Sequence, residues 1–427
     1  MTKNKISKFK AKTLPNGLHF LSAPIPAAKT VTILMMYGTG SKYESRAQNG
    51  LSHFVEHMLF KGTEKRRTAL KISRELDSLG GEFNAFTSKE YTGYYIKVGS
   101  QKIGAAIDLL SDMLLNSHFF QADIDREKGV IIEEINMYHE NPMMYIEDVF
   151  ESCLYGDSPA GWDIAGPKEN IINFKRQDFL DYFNSQYGVG SAVLCLAGDV
   201  NEKTEKLATN FFKPLKRSIF KDKVQIIEAQ KVPAAKTHYK EGSQANLAIG
   251  VRAFDNFHPD KIALKVLGVI LGGSMSSRLF TEIREKRGLA YFVHTNCEFH
   301  TDTGYLVTYA GIPVGKKDEA IEVILAEYKK LRTTLVSGEE LTRAKDLIKG
   351  HTIIGLEQSD NLANWYCQQA IMKSKIMSPK AYFKRLDAIT AEDLRRVAKE
   401  IFKNENLNLA IIGPFKDVAA LEKMLKI

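Results

Sequence analysis

Residues 181–200 read DYFNSQYGVGSAVLCLAGDV, and residues 396–415 read RVAKEIFKNENLNLAIIGPF. Both run in the same order: a helix-forming segment, a polar turn, an uncharged apolar strand and a closing glycine. Gly198 and Gly413 stand 215 residues apart. Upstream, Ala105-Ala106-Ile107-Asp108 pairs with Glu319-Ala320-Ile321-Glu322 at an offset of 214, and Arg126-Glu127-Lys128 pairs with Arg343-Ala344-Lys345 at 217. Chance helical composition does not hold nearly one offset at three places, so the chain reads as a tandem duplication. Each copy alternates apolar strands (Val31 to Tyr37, Thr92 to Val98, Ala192 to Ala197) with amphipathic helices, an α+β pattern. The Lys-rich stretch Pro214 to Lys236, carrying Pro233, reads as an exposed linker. The expected organisation is a first unit over residues 1–213, a linker over 214–236 and a homologous second unit over 237–427.

A chain of 427 residues with 44% hydrophobic composition can fill two or three full cores. The net charge is +8, but 59 Lys and Arg are spread among 51 Asp and Glu. The densest basic cluster, Lys61 to Arg67, has no interleaved aromatics to stack on bases, so no nucleic-acid partner is expected. Cys153, Cys195, Cys297 and Cys367 lie far apart and form no C-x-x-C pair, which argues against a thiolate zinc site or a disulfide framework. Cys195, inside an apolar run, reads as a buried reduced thiol. No apolar stretch approaches the length that crosses a bilayer, and no membrane partner is expected. The N-terminus, MTKNKISKFKAKTL, is basic without the apolar core of a secretory signal. The simplest address is the cytoplasm. A Lys-rich start also leaves an organelle-targeting reading open, although the usual Arg and Ser enrichment is missing.

Chemistry concentrates in Gly50-Leu51-Ser52-His53-Phe54-Val55-Glu56-His57-Met58-Leu59-Phe60-Lys61-Gly62. These are good helix formers, and Gly62 suits a left-handed C-terminal cap. On a helix His53 and His57 stand at i and i+4, so both imidazoles leave one face about one turn apart, a spacing that suits two ligands of one tetrahedral zinc. Glu56 lies beside both, within reach of a water in an open coordination position. The pattern is H-x-x-E-H, the inverse of the H-E-x-x-H metalloprotease motif. The plain alternative is two histidines on a solvated amphipathic helix, and a third ligand would decide between them.

The segment DIDREKGVIIEEINMYHE, Asp123 to Glu140, has a candidate N-cap in Asp123 and a helical apolar period. Helical geometry gathers Val130, Ile131, Met137 and Tyr138 on one side with Glu134 among them, while Glu133 points away. A carboxylate centred on an apolar face is costly unless it is paired, hydrogen-bonded or bound to a cation. Glu134 therefore wants a metal or a basic side chain from elsewhere. Glu127, two turns earlier on the same face, is placed to hydrogen-bond a ligand or orient the site.

The string HFVEHMLFKGT, followed by EKGVIIEEINMY, resembles the pitrilysin/insulinase superfamily of zinc peptidases, especially its short, processing-peptidase-like branch. The resemblance runs over nearly the whole chain and implies one zinc ion per chain held by His53, His57 and Glu134. It implies Glu56 as the general base and Glu127 as a supporting acidic residue. It also makes Gly80-Gly81-Glu82-Phe83-Asn84-Ala85-Phe86-Thr87 a substrate-binding edge strand, with Asn84, Ala85, Phe86 and Thr87 as contacts. The repeat offset places the counterparts of His53 and His57 near Leu267 to Leu271, an apolar stretch, so the second unit is expected to be metal-free. In the superfamily two such units face each other across a cavity, and short members dimerise. The expected partners are a peptide or unfolded polypeptide substrate and a second copy of the chain, with a metal-free homologue as the other dimer option.

The segment Ser277 to Gly288, SRLFTEIREKRG, reads as a helix closed by Gly288, with a strand beginning over Leu289 to Val293. From the residues alone, Arg284 is one charge on a solvated helix and Tyr291 a strand core residue. In the superfamily an Arg and a Tyr spaced by seven, as here in REKRGLAY, hold the substrate backbone near the zinc. The activity implied is endoproteolysis. The rival readings are a metal-free assembly subunit of the same fold, against which the intact His53, Glu56, His57 and Glu134 argue, and a peptide-binding module without turnover.

Overall fold

The most apolar runs become the central strands, and the edges are more polar or charged. The computed structural model describes residues 9–427. Most of the basic start that bears on targeting therefore lies outside the described residues. The packing divides the chain into two compact units, each assembled from three segments: residues 1–135, 163–224 and 352–381, and residues 136–162, 225–351 and 382–427.

In the first unit, β1 (Lys10–Thr13), β2 (His19–Pro24), β3 (Thr30–Tyr37), β4 (Glu82–Thr87), β5 (Thr92–Gly99) and β6 (Ala192–Gly198) form one six-stranded sheet. Its order is β1-β2-β6-β3-β5-β4. Only β2 and β6 run parallel; the other pairs are antiparallel. β3 and β6 are central and buried along almost their whole length, whereas β4, on the edge, begins with three exposed residues. One face packs against α1 (Leu51–Met58), α2 (Ala69–Leu79), α3 (Ile103–Leu115), α7 (Arg176–Gln186) and α8 (Glu202–Phe211), with α4 (Gln121–Glu140) adding Ile124, Ile131 and Ile135 to that core. The other face, carrying Leu21, Leu34, Met36, Val193 and Cys195, is covered by Leu362, Ala363, Tyr366 and Cys367 of α12 (Ser359–Ile371). The short helix α6 (Lys168–Asn173) contributes Ile171.

The second unit holds β7 (Ala234–Tyr239), β8 (Gln244–Arg252), β9 (Phe292–Phe299), β10 (Gly304–Pro313) and β11 (Leu407–Gly413), in the order β7-β11-β8-β10-β9. β7 and β11 are parallel and the rest antiparallel. The order repeats β2-β6-β3-β5-β4, so the duplication read from the sequence is a duplication of topology. Helices α9 (Lys261–Gly272) and α10 (Lys317–Thr333) pack against strands of this sheet, and α14 (Ala391–Ile401) packs against both helices. On the opposite face Ile146, Val149, Phe150 and Leu154 of α5 (Pro142–Tyr155) meet Tyr305, Val307 and Ala410. The remaining long helix, α11 (Gly338–Gly355), runs from one unit into the other, as α4 does.

Linear halves and packed units thus differ. The division 1–213 and 237–427 describes the sequence repeats, whereas each folded unit takes its second covering helix from the other repeat: α12 in the first unit, α5 in the second. Within the expected linker, residues 214–233 carry no helix or strand, and β7 begins at Ala234. This stretch is not wholly exposed, since the Lys223 side chain is buried against Glu90. Among the described residues no helix is long and apolar enough to cross a membrane.

Candidate metal centre

Leu51, Phe54, Val55 and Met58 bury one side of α1, which leaves His53, Glu56 and His57 together on the other. The helix is only 8 residues long and its cap residue, Gly50, supplies no side chain. The missing acceptor comes from Glu44: its carboxylate takes the N–H of Ser52 at 2.5 Å and of Gly50 at 3.0 Å, and the Asn49 amide at 3.2 Å. Full burial pushes this carboxyl up to about 7 despite those donors. Gly50 itself has φ +101, and a side chain there would sit 2.5 Å from Ala165 O. The helix stops at Met58, three residues before the end expected from Gly62, because the chain tightens: Phe60 N–H turns back to His57 O and Lys61 N–H to Met58 O. Gly62, at φ +155, belongs to the following turn and does not cap the helix.

The second donor helix, α4, starts at Gln121, so Asp123 lies in its first turn and not at its cap. Its buried stripe is Ile124, Glu127, Ile131 and Ile135, while Val130 and Met137 are more than half exposed. The apolar face expected around Glu134 is therefore displaced by about one residue. Glu127, 4% exposed, is the carboxylate inside it, and the Glu134 side chain, 25% exposed, stands at its border. Glu133 is exposed.

These two helices bring four side chains to one point. Glu134 Oε1 lies 3.7 Å from His53 Nε2, and its Oε2 lies 3.4 Å from His57 Nε2. The imidazole centroids are 4.7 Å apart. On the far side of His57, Nδ1 is 2.9 Å from Glu127 Oε1, and Lys61 Nζ is 2.7 Å from Glu127 Oε2. One ligand atom from each of His53, His57 and Glu134 falls within 4.8 Å of the others, and this is the one such group among the described residues. Tetrahedral zinc with bonds of about 2.0–2.2 Å needs donors roughly 3.3–3.6 Å apart; the two histidine–glutamate separations are close to that, and the set as a whole lies within 4.8 Å. Two imidazoles and a carboxylate suit zinc, and a carboxylate behind one imidazole is the usual way to fix its tautomer.

The electrostatics agree with a cation site. Burial depresses the His57 imidazole, but hydrogen bonds to Glu127 and Glu134 outweigh it and raise its pKa to about 9. Burial, helped by the His57 charge, lowers His53 to about 4. Glu134 is held below the usual carboxylate range by its hydrogen bond to His57; Glu127 is held low because His57 and Lys61 outweigh its burial. Two carboxylates thus face the two ring nitrogens of His57, an arrangement that favours positive charge at this point. Glu56 points beside this cluster, burial raises its pKa, and Thr87 Oγ1 donates to its Oε2 at 2.5 Å.

Thr87 ends β4, whose outer edge has no strand partner among the described residues. On the same strand Asn84 Oδ1 accepts the Ala85 N–H at 2.9 Å, Ala85 packs on the first core, and Phe86 packs on the α12 side with Tyr91. Arg284 and Tyr291 belong to the second unit. Phe280–Glu285 is a π-helical turn where a plain α-helix was expected; Lys286 N–H reaches back to Thr281 O. Gly288, at φ +58, closes it as expected. Arg284 is exposed with its guanidinium over the Phe280 ring, 4.9 Å from the centroid. Tyr291 is not a core residue: it is 78% exposed and precedes β9. Leu267 and Leu271, where the repeat offset puts the metal ligands' counterparts, are wholly buried in α9. Sequence reasoning missed Glu44 and the Thr87 contact to Glu56, for neither of which a periodic signal exists.

Residues 19–168 match the family described as insulinase, peptidase family M16, and residues 173–348 match the peptidase M16 inactive domain. This chain belongs to peptidase family M16. Among its relatives is the "uncharacterized zinc protease YmxG" of Bacillus subtilis (strain 168), 32% identical, with the match covering 95% of this chain and 98% of that one. The "uncharacterized zinc protease SCO5738" of Streptomyces coelicolor is also 32% identical, covering 97% and 92%. In three dimensions the M16 chain superimposes on a protease from Helicobacter pylori with a TM-score of 0.90 over 96% of this chain and 100% of that one, at 24% identity. At that identity the likeness speaks for the fold. His53, His57 and Glu134 lie in the segment matching the insulinase family, and the inactive-domain match spans α9 with Leu267 and Leu271.

Proposed function

We propose that this M16 chain is a zinc-dependent endopeptidase acting on peptides or unfolded polypeptide segments. The observation that carries the reading is the convergence of His53, His57 and Glu134 with Glu56 on the same helix face beside an open sheet edge. His53, His57 and Glu134 would hold one zinc ion, and the relatives' description as zinc proteases supports that identity. When bound, the metal supplies Lewis acidity and lowers the pKa of a coordinated water towards 7.

The chain's own groups do the rest. Glu127 fixes the His57 ring by accepting from Nδ1, which turns Nε2 to the site. Glu56 takes the proton of the attacking water and returns it to the leaving amine. The edge of β4, over Asn84 to Thr87, accepts an extended peptide as an added strand through backbone hydrogen bonds, which favours unfolded substrates. Arg284 and Tyr291, both exposed, are assigned to hold substrate carbonyls on the family resemblance.

The test is Glu56→Gln. The variant should keep zinc and bind an unstructured peptide while turnover falls at least about a hundredfold. Chelation should abolish wild-type cleavage and zinc restore it. Zinc-loaded wild type that binds such peptides and leaves them intact would sink the reading in favour of a binding module.

A further inference from the structure

Glu56 has a neighbour that zinc binding does not require. The Thr87 hydroxyl donates to Glu56 Oε2 at 2.5 Å, across 31 positions of sequence. A glutamate side chain has three rotatable bonds, so a base on one is reproducible only if something holds it.

Thr87 is itself held. It pairs with Thr92 of β5, and the turn that follows is tied down from outside the hairpin. Ser41 N–H donates to Ser88 O at 3.2 Å and Lys42 N–H to Lys89 O at 2.9 Å. A side chain at position 40 would lie 2.1 Å from Ser88 O, so only glycine permits this approach. Below the turn, Lys42 Nζ and Lys223 Nζ each lie 2.9 Å from Glu90 Oε1, all three side chains being almost wholly buried. Breaking one partner out of a buried ion cluster leaves an uncompensated charge, so the turn does not open easily. Two residues beyond Lys42, the same loop presents Glu44, which caps the helix carrying Glu56. Both ends of the Thr87 to Glu56 hydrogen bond are thus referenced to the loop Gly40 to Glu44.

We infer that Thr87 is a positioning residue: its hydroxyl occupies Glu56 Oε2, so that Oε1 is the oxygen presented to the proton that Glu56 accepts and returns. The role of Glu56 in this sentence rests on the endopeptidase reading; the hydrogen bond does not. The Thr87 backbone remains part of the β4 edge, while its side chain serves Glu56 and not the substrate.

The experiment compares Thr87→Val, which keeps the shape and removes the donor, with Thr87→Ser, which keeps the donor. Thr87→Val should hold one zinc per chain and an unchanged KM while kcat falls roughly ten- to hundredfold, the range for a lost hydrogen bond to a charged group. Thr87→Ser should recover most of that loss. Wild-type kcat in Thr87→Val, an equal loss in Thr87→Ser, or a rise in KM alone would overturn the assignment. A second readout needs no turnover: the carboxylate stretch of Glu56 in the zinc-loaded chain, isolated by subtracting the infrared spectrum of Glu56→Gln. That band should shift in Thr87→Val and return in Thr87→Ser. An unshifted band overturns the inference even if the wild type proves inactive, whereas inactivity of the wild type with a shifted band overturns only the endopeptidase reading.

Discussion

His57 has a carboxylate on each ring nitrogen, Glu127 at Nδ1 and Glu134 at Nε2. His57→Ala should therefore lose the metal outright, and unchanged zinc content by atomic absorption would refute the ligand set. Glu134→Gln should lower zinc occupancy, while the adjacent Glu133→Gln, on the exposed side of α4, should do little. Glu127→Ala is expected to weaken zinc binding by about ten- to hundredfold without abolishing it, as read by competition against a chelator, because Glu127 touches His57 but lies outside the group of His53, His57 and Glu134. His53, Glu56 and His57 were legible in the sequence because helical periodicity is local: three residues within five positions share a face whatever the rest of the chain does. Glu134 was legible as an awkward carboxylate on an amphipathic helix, although the face that made it awkward is centred on Glu127. Glu44 and the Thr87 hydroxyl were not legible, since their contacts depend on how a loop and a strand end return to α1.

At the scale of elements, α1 is a weak helix made dependable by its surroundings. Eight residues do not hold a helix by propensity alone. The Glu44 carboxylate, Tyr182 on Ser52, at 2.5 Å, and the left-handed Gly50 supply what propensity lacks. Gly50→Ala would combine a disfavoured φ with a 2.5 Å approach to Ala165 O. It should cost at least about 1–3 kcal/mol in stability, seen as a lowered Tm, and weaken zinc binding with it. A wild-type Tm would show that the backbone there relaxes freely. The helix ends were the least legible feature: Gly62 looked like a cap by residue type, but the last turn of α1 had already tightened at Leu59 to Lys61. The inner strands β3, β5 and β6 were read to within a residue, because an apolar run in a buried sheet admits few other fates, whereas β4 begins two residues after Gly80 and β9 three after Leu289.

For the whole molecule, the sequence shows two repeats and the packing shows two units, and the two divisions do not coincide. A repeat offset reports ancestry of the chain and contains nothing about which sheet a helix covers. Residues 1–224 expressed alone lack α12, so the sheet face with Leu21, Leu34, Met36, Val193 and Cys195 stays open to water. That fragment should aggregate or remain unfolded, and co-expression with residues 225–427 should restore soluble, zinc-binding protein. A stable, folded 1–224 fragment by circular dichroism would contradict it. Association of two chains is a separate proposal, carried by the family resemblance. Light scattering that finds only a 48.0 kDa species under conditions of peptide cleavage would exclude it.

The exchange of α5 and α12 also sets a timetable. A ribosome delivers the chain from its N-terminus at about 5–20 residues per second. The last strand of the first sheet is complete at Gly198, but the helix that covers its second face ends at Ile371. For roughly ten to thirty seconds of synthesis at that pace, the nascent protein holds a finished sheet with one greasy face bare. The candidate ligands His53, His57 and Glu134 are all made before residue 135, well ahead of α12. Premature termination anywhere in that interval should leave this face without its covering helix, a product expected to aggregate.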